Sequence, residues 1–181
     1  MKKKVVLLGA SITQGLGSKK INFTQELQEQ LGNGYLIDNM AFTGTTIHYA
    51  EKILPEVMEK HPEYVVIVYG NVDAQIRPCR TGRIFSHLPK RFQGGGMLMP
   101  RPFYSHTWYK RIGQKIENML RKICSKLIYA VDGTEQWVPL GEFQEAYQNL
   151  VKELKKCKIK PIVCSTVYID ETIFPGSLTQ H

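Results

Sequence analysis

The chain has 181 residues, of which 43% are hydrophobic, and its formal net charge is +8. A chain of this length can form one domain with a sizeable core, so we expect a single domain over residues 1–181. The four cysteines show no C-x-x-C spacing and no accompanying histidine cluster, which leaves a metal site or a disulfide framework unsupported. No apolar run approaches the roughly 20 residues of a membrane-spanning helix, and we expect a cytoplasmic protein.

The first 75 residues alternate between strand and helix patterns. Three apolar, β-branched runs are typical of strands buried in a parallel sheet, at residues 3–9, 35–41 and 64–70. Residues 21–31 and 46–60 have the apolar spacing of helices. This order of strands and helices predicts right-handed crossover units and an α/β fold with a parallel sheet.

A basic segment interrupts the pattern after the third strand. Between Arg77 and Lys126 the chain has twelve basic residues and one acidic residue, so the remainder of the chain is slightly acidic. Loops rich in glycine and proline are followed by a predicted helix over residues 104–129, with its apolar positions near one face. A helix over 139–157 and a fourth strand over 160–167 restore the α/β pattern. We therefore predict a lid-like basic helical insertion over residues 77–138.

Polar residues and glycines follow each of the first three predicted strands. Ser11 comes after the first strand, Asn39 and Gly44 after the second, and Asn71 and Asp73 after the third. Binding sites in open parallel sheets form at the carboxyl ends of the strands, so we expect these loops to meet. A serine at such a turn presents its hydroxyl and its own N–H, which suits a nucleophile beside an oxyanion hole.

The first of these loops resembles the first sequence block of the GDSL or SGNH hydrolase family. That block reads G-D-S-x-T-x-G in the family. It is matched here by Gly9, Ser11, Thr13 and Gly15, while Ala10 takes the place of the aspartate. The resemblance identifies Ser11 with the catalytic nucleophile of the family.

The second and third blocks of the family follow in the expected order. Asn39 and Gly44 match the second block, in which a glycine follows an asparagine by five positions. The third block, G-x-N-D, is matched at its first and last positions by Gly70 and Asp73. Val72 stands where the family has asparagine, and Asn71 precedes that position by one residue.

The resemblance implies a fold and a set of roles. The fold is a three-layer α/β/α, flavodoxin-like sandwich, with four strands visible and a fifth expected outside this sequence. The oxyanion would be bound by the N–H groups of Ser11 and Gly44 and by the amide of Asn71. Asn39 and Asp73 would support the loops structurally. Neither a metal nor a cofactor is expected.

The general base of the family lies in a D-x-x-H block that follows a fifth strand. His181 is the one histidine after the fourth predicted strand, and Leu178 occupies the aspartate position before it. The base therefore stays unassigned, with His181 as a weak candidate and with His87 and His106 of the insertion as open alternatives. Either the sequence is a truncated copy of a longer protein, or the domain has lost its base.

The function implied by the resemblance is hydrolysis of a small acyl ester, with O-acetyl groups on carbohydrate as the favoured substrate. The open alternatives are a catalytically impaired or truncated binding domain, an acyltransferase and, less favoured, a nucleotide-binding domain. The pattern G-x-G-x-x-G is absent because Lys20 stands at the third glycine position. For Ser11 itself, the alternative to the nucleophile is a structural role as a helix N-cap.

The expected partners are a small-molecule or glycan ester and, at the basic insertion, an anionic glycan or a membrane surface. The insertion combines its basic residues with aromatic residues, among them Phe85, Trp108 and Tyr109. The alternative is a lid helix whose aromatic residues pack on the domain while its charges are solvated. Nucleic acid is not an expected partner, and the sequence does not indicate an oligomeric state.

Overall fold

The computed structural model describes residues 2–16, 22–93 and 105–165. These residues form two compact units. The first unit contains the described residues up to Ala74 and from Val138 onward, and the second contains those between Gln75 and Trp137. The second unit therefore holds most of the segment 77–138. His181 and the end of the predicted fourth strand lie outside the described residues.

The helices and strands alternate through most of the chain. In chain order they are β1 (Lys3–Gly9), α1 (Ser11–Gln14), α2 (Phe23–Leu31), β2 (Tyr35–Asn39), α3 (Ile47–Glu59), β3 (Tyr64–Val68), β4 (Ile76–Pro78), α4 (Arg83–His87), α5 (Lys90–Gln93), α6 (Trp108–Val131), β5 (Thr134–Gln136), α7 (Leu140–Lys156) and β6 (Lys160–Val163).

The first unit is built on a four-stranded sheet with the strand order β2-β1-β3-β6. Every neighbouring pair in this sheet is parallel. β1 lies between β2 and β3, and its residues from Val5 to Gly9 are buried. The predicted parallel α/β sheet with four visible strands is confirmed.

Helices cover both faces of this sheet. Val5, Leu7 and Val66 form one cluster, against which Leu27 of α2 packs. Side chains alternate along a strand, so Val6 and its alternating neighbours face the other way, where α3 and α7 pack against each other and contact the sheet. The expected three-layer α/β/α arrangement is confirmed.

Several element boundaries differ from the predicted ones because local hydrogen bonds end or start the elements. β2 ends at Asn39, since the Asn39 side chain turns to accept a hydrogen bond from Ala41 N (2.9 Å). α2 begins at Phe23 because Asn22 and Gln25 form a capping box before it, each side chain accepting from the other backbone N–H.

The second unit contains a two-stranded antiparallel sheet that the sequence does not predict. β4 pairs with β5 in this sheet. The buried Arg77 donates to Glu135 Oε1 (2.7 Å), and Arg80 donates to the same oxygen (2.9 Å). The guanidinium of Arg77 also lies over the ring of Trp137, 5.3 Å from its centroid. A charge cluster therefore joins the two short strands.

The long helix α6 of the second unit begins at Trp108 and ends at Val131. The expectation that its aromatic residues pack on the protein is wrong for Trp108 and Tyr109, which are 72% and 57% exposed. The side that α6 buries carries polar residues instead, among them Asn118 and Arg121. No helix among the described residues has the length and apolar character needed to cross a membrane.

Candidate active site

Ser11 is the first residue of α1 and follows Ala10, which comes directly after β1, one of the two central strands of the sheet. The helix is a single turn, which Gly15 ends with a left-handed backbone (φ 88°). Leu16 N donates to the carbonyl of Ser11 (2.9 Å), and Gln14 N donates to that of Ala10 (3.0 Å). Ser11 therefore lies in a tight turn at the carboxyl edge of the sheet.

Close packing between Gly9 and Thr13 fixes the conformation of this turn. Thr13 is 1% exposed. A Cβ atom on Gly9 would lie 2.3 Å from the Thr13 hydroxyl oxygen, which no side chain could tolerate. The contact with Thr13 thus requires glycine at position 9.

Asn39 ties the loop after β2 to the Ser11 loop. Its amide nitrogen donates to the carbonyl of Thr13 (2.7 Å) and to the hydroxyl of Thr24 (2.6 Å). A backbone hydrogen bond from Phe42 N to the carbonyl of Gly9 (3.1 Å) joins the same two loops. The loops that carry Ser11 and Gly44 are therefore connected at several points.

Gly44 has a left-handed backbone (φ 75°) and open space where a side chain would be. Its neighbours are held on both sides. Thr43 N donates to Gln14 Oε1 (2.8 Å), and the hydroxyl of Thr45 donates to the carbonyl of Phe42 (2.6 Å). These contacts fix the direction of the peptide groups around Gly44.

The described residues give no hydrogen-bond partner to the Ser11 hydroxyl or to the N–H of Gly44. An electrophile and the oxygen attached to it could therefore be bound here without breaking an existing hydrogen bond. A hydroxyl and N–H donors in neighbouring loops are two of the parts that acyl transfer requires, the third being a general base.

Asp73 connects the loop after β3 to the start of α3. It is 2% exposed, and its carboxylate accepts from Ile47 N (2.7 Å) and from Gly70 N (3.0 Å). Burial raises the pKa of Asp73, while the hydrogen bonds from Ile47 and Gly70 act in the opposite direction. Asn71 lies half-buried in the same turn, and its role as an oxyanion donor stays a prediction.

Tyr69 and Thr45 belong to this region but were missed by sequence reasoning. Tyr69 is 4% exposed, and burial raises the pKa of its phenol, with the Thr45 hydroxyl acting in the opposite direction. The phenol is thus neutral at physiological pH. The only sequence signal for Tyr69 is its position near the end of the predicted third strand.

Solved structures share this arrangement of strands and helices, whereas neither a protein-family model nor a curated protein sequence matches the chain. TesA matches with a TM-score of 0.55 and 15% identity over 98% of this chain and 68% of that chain. A catalytic mutant of Axe2, an acetylxylan esterase from Geobacillus stearothermophilus, matches with a TM-score of 0.52 and 16% identity over 98% of this chain and 66% of that chain. AlinE4, an SGNH-hydrolase family esterase, matches with a TM-score of 0.54 and 12% identity over 99% of this chain and 67% of that chain.

The chain has the SGNH-hydrolase fold. It spans about two thirds of the length of these solved chains. Within this fold, Ser11 and Gly44 lie in the loops that follow β1 and β2.

No histidine of the SGNH-type first unit is placed as a base for Ser11 within the described residues. His48 in α3 pairs with Glu51 through Nδ1 and with Glu142 through Nε2, each at 2.9 Å. The hydrogen bond to Glu51 raises the pKa of His48, an effect that burial partly opposes. The Nδ1 of His87, in the second unit, contacts the carbonyl of Arg83 (2.7 Å). The base stays unassigned, and the candidate His181 lies outside the described residues.

Proposed function

We propose that this chain carries the nucleophile and the oxyanion donors of a serine esterase that acts on a small acyl ester. The observation that carries the proposal is the position of Ser11 just after β1, in a loop tied to that of Gly44. The shared fold of an acetylxylan esterase and of AlinE4 supports it. On the same basis, O-acetyl groups on carbohydrate are the proposed substrate.

In the proposed reaction, the Ser11 hydroxyl oxygen attacks the carbonyl carbon of the ester, and its proton passes to a general base. The carbonyl oxygen becomes negatively charged and accepts hydrogen bonds from the N–H groups of Ser11 and Gly44, with the amide of Asn71 as a third donor. The bond to the alcohol then breaks, and the alcohol leaves with a proton. Water attacks the acyl-Ser11 ester and releases the acid.

A binding domain with the same fold is the second candidate. It is favoured by the absence, among the described residues, of a histidine in contact with Ser11. Loss of the base removes most of the rate in serine hydrolases, although oxyanion binding retains a residual acceleration of about 10³–10⁴-fold over water. An acyltransferase would use the same Ser11 chemistry but would pass the acyl group to an alcohol other than water.

A fluorophosphonate probe separates the esterase from the binding domain. We expect mass spectrometry to show labelling of Ser11 in the wild-type chain and none in Ser11→Ala. Ser86→Ala, an exposed serine of α4 that bonds to the carbonyl of Arg83, should be labelled like the wild type. Folded protein that takes up no probe, or Ser11→Ala that is still labelled, would refute the proposal.

The carbohydrate part of the proposal is tested by acetate release. We expect faster turnover of acetylated xylo-oligosaccharide than of ethyl acetate, an ester with a similarly poor leaving group, at equal acetyl concentration, because contacts to the sugar add transition-state binding. Equal or slower turnover of the oligosaccharide would remove carbohydrate as the substrate. That result would not affect the esterase assignment, which the probe experiment tests separately.

A further inference from the structure

Helix α6 presents a continuous apolar surface to solvent. Six of its aliphatic residues are 51–56% exposed although they share one side of the helix: Ile112, Ile116, Met119, Leu120, Ile123 and Leu127. Trp108 at the start of the helix is 72% exposed, and Val131 at its end is 63% exposed. With a rise of about 1.5 Å per residue, this surface is roughly 35 Å long. An exposed apolar surface of this extent marks an interaction site.

A row of exposed basic residues runs beside the apolar surface. Four of the aliphatic residues are each preceded in sequence by a basic residue, namely Arg111, Lys115, Lys122 and Lys126. One residue corresponds to about 100° around a helix, so these four side chains line one edge of the apolar surface. The apolar surface and the basic row therefore face solvent together.

The side of α6 opposite the apolar surface packs within the second unit. Asn118, Arg121, Ser125 and Ile128 are buried there. Arg121 pairs with Glu117, its Nε lying 3.2 Å from Glu117 Oε1, and Ile128 packs with Phe85. The outward direction of the apolar surface is thus fixed by the contacts of the unit itself.

We propose that α6 binds parallel to the surface of an anionic phospholipid membrane. Its aliphatic residues and Trp108 would enter the boundary between headgroups and acyl chains, and the basic row would contact acidic headgroups. A helix with one apolar side and lysine or arginine beside it is suited to this interfacial position. Each basic residue near an anionic surface strengthens binding about fivefold, the equivalent of about 1 kcal/mol.

The charge of α6 disfavours the other occupants of this surface. In a dimer formed through two antiparallel α6 helices, the two basic rows would approach each other, and Glu117, the one acidic residue of the helix, already pairs with Arg121. A nucleic acid would contact the basic row but would leave the apolar surface in water. An anionic membrane satisfies both features at once.

The test is binding of the full chain to vesicles, measured by co-flotation and by tryptophan fluorescence. We expect at least about tenfold tighter binding to phosphatidylcholine vesicles that contain phosphatidylglycerol than to pure phosphatidylcholine vesicles. Trp108 emission should shift to shorter wavelength and be quenched by brominated lipid. Trp108→Phe should abolish the shift, because the other tryptophan, Trp137, follows β5 and lies outside α6.

Paired variants test the two features separately. Lys115→Glu combined with Lys122→Glu should weaken vesicle binding at least about tenfold. The control is Lys152→Glu combined with Lys155→Glu on α7, which makes the same change in net charge and should weaken binding far less. Ile116→Ser should weaken binding and reduce the Trp108 shift. Leu140→Ser, which alters a 60% exposed residue at the start of α7, should leave both unchanged.

Three results would overturn the proposal. The first is equal binding to neutral and anionic vesicles, or none to either. The second is an equal loss of binding in the α6 and α7 charge variants, which would show dependence on net charge alone. The third is a concentration-dependent dimer that Ile116→Ser dissociates, or tighter binding to a DNA duplex than to anionic vesicles, since either would identify another occupant.

Discussion

At the scale of single residues, the contact between Gly9 and Thr13 restricts which residues can form the Ser11 turn. The two residues touch so closely that a Cβ atom on Gly9 has no space. Asn39 then holds the carbonyl of Thr13 from the neighbouring loop. The position of Ser11 thus depends on residues that themselves have no part in chemistry.

Gly44→Ala tests the backbone conformation of the second loop. The new Cβ meets no atom, but the left-handed backbone (φ 75°) costs a non-glycine residue about 1–2 kcal/mol. We expect urea unfolding to show this loss, and phosphonate labelling of Ser11 to slow at least about tenfold because the N–H donor is displaced. Gly141→Ala in α7, where the φ angle is ordinary, should not slow labelling. Unchanged labelling in Gly44→Ala would exclude Gly44 from the oxyanion site.

Asp73→Asn tests the buried carboxylate that joins two loops. Asparagine has one acceptor oxygen, so its NH₂ group would face a backbone N–H of either Ile47 or Gly70. We expect the free energy of unfolding to fall by about 1–3 kcal/mol in urea titrations. Asp38→Asn removes an exposed pair with Lys60 and should cost less than about 1 kcal/mol. Equal losses in the two variants would mean that burial of Asp73 has no energetic consequence.

The locations of Ser11, Asn39 and Gly44 could be predicted from sequence, whereas the contacts of Tyr69 and Thr45 could not. The first three residues belong to short motifs next to apolar strands, and both signals are local. Tyr69 and Thr45 are 24 positions apart, and nothing in either neighbourhood indicates that they approach each other. The general base had no such signal either, because His181 lacks the aspartate of the family block.

At the scale of elements, β4 and β5 depend on charge more than on apolar pairing. Burial alone would raise the pKa of Glu135, but hydrogen bonds from Arg80 and the charge of Arg77 outweigh it and leave the pKa lowered. Because the folded pKa is the lower one, the stabilisation is present above the ordinary glutamate pKa of about 4.3 and is lost as pH falls through the folded pKa.

Glu135→Gln makes this pH dependence measurable. At pH 7 we expect the variant to be about 1–3 kcal/mol less stable, since it leaves the buried Arg77 without its anion. Below about pH 4 the difference should shrink, because the wild-type carboxylate becomes protonated. Glu153→Gln, which removes an exposed pair with Lys156, should change stability by less than about 1 kcal/mol at pH 7. A difference that does not vary with pH would contradict the ion-pair account.

Sequence periodicity identified α6 but not the side of it that is buried. Spacing shows which residues share a side, and Ile112, Ile116 and Ile123 do share one. It does not show which side the rest of the chain covers, and here that side carries Asn118 and Arg121. The strands β4 and β5 escaped prediction for a related reason: each has three residues, and their partners are more than 50 positions apart.

At the scale of the whole molecule, the parallel sheet was predictable because its strands are apolar and regularly separated by helices. β1 and β3 are buried along most of their length, and a buried run of valine and isoleucine has few other interpretations. The division into two units could be anticipated only as a change in charge along the chain. Among the described residues of the second unit, polar contacts such as that of Arg77 with Glu135 accompany a small apolar cluster around Phe85 and Ile128, and neither follows a periodic sequence pattern.

The strand order also has a consequence for synthesis on the ribosome. β2, β1 and β3 lie within the first 68 residues, but β6, the outer neighbour of β3, begins at Lys160. Translation proceeds at about 5–20 residues per second, so β3 waits roughly 5–20 s for its partner while the second unit is made. During that interval its valine-rich edge is open to any other extended chain. The nascent protein is therefore a candidate for chaperone binding at β3, a vulnerability that the finished sheet conceals.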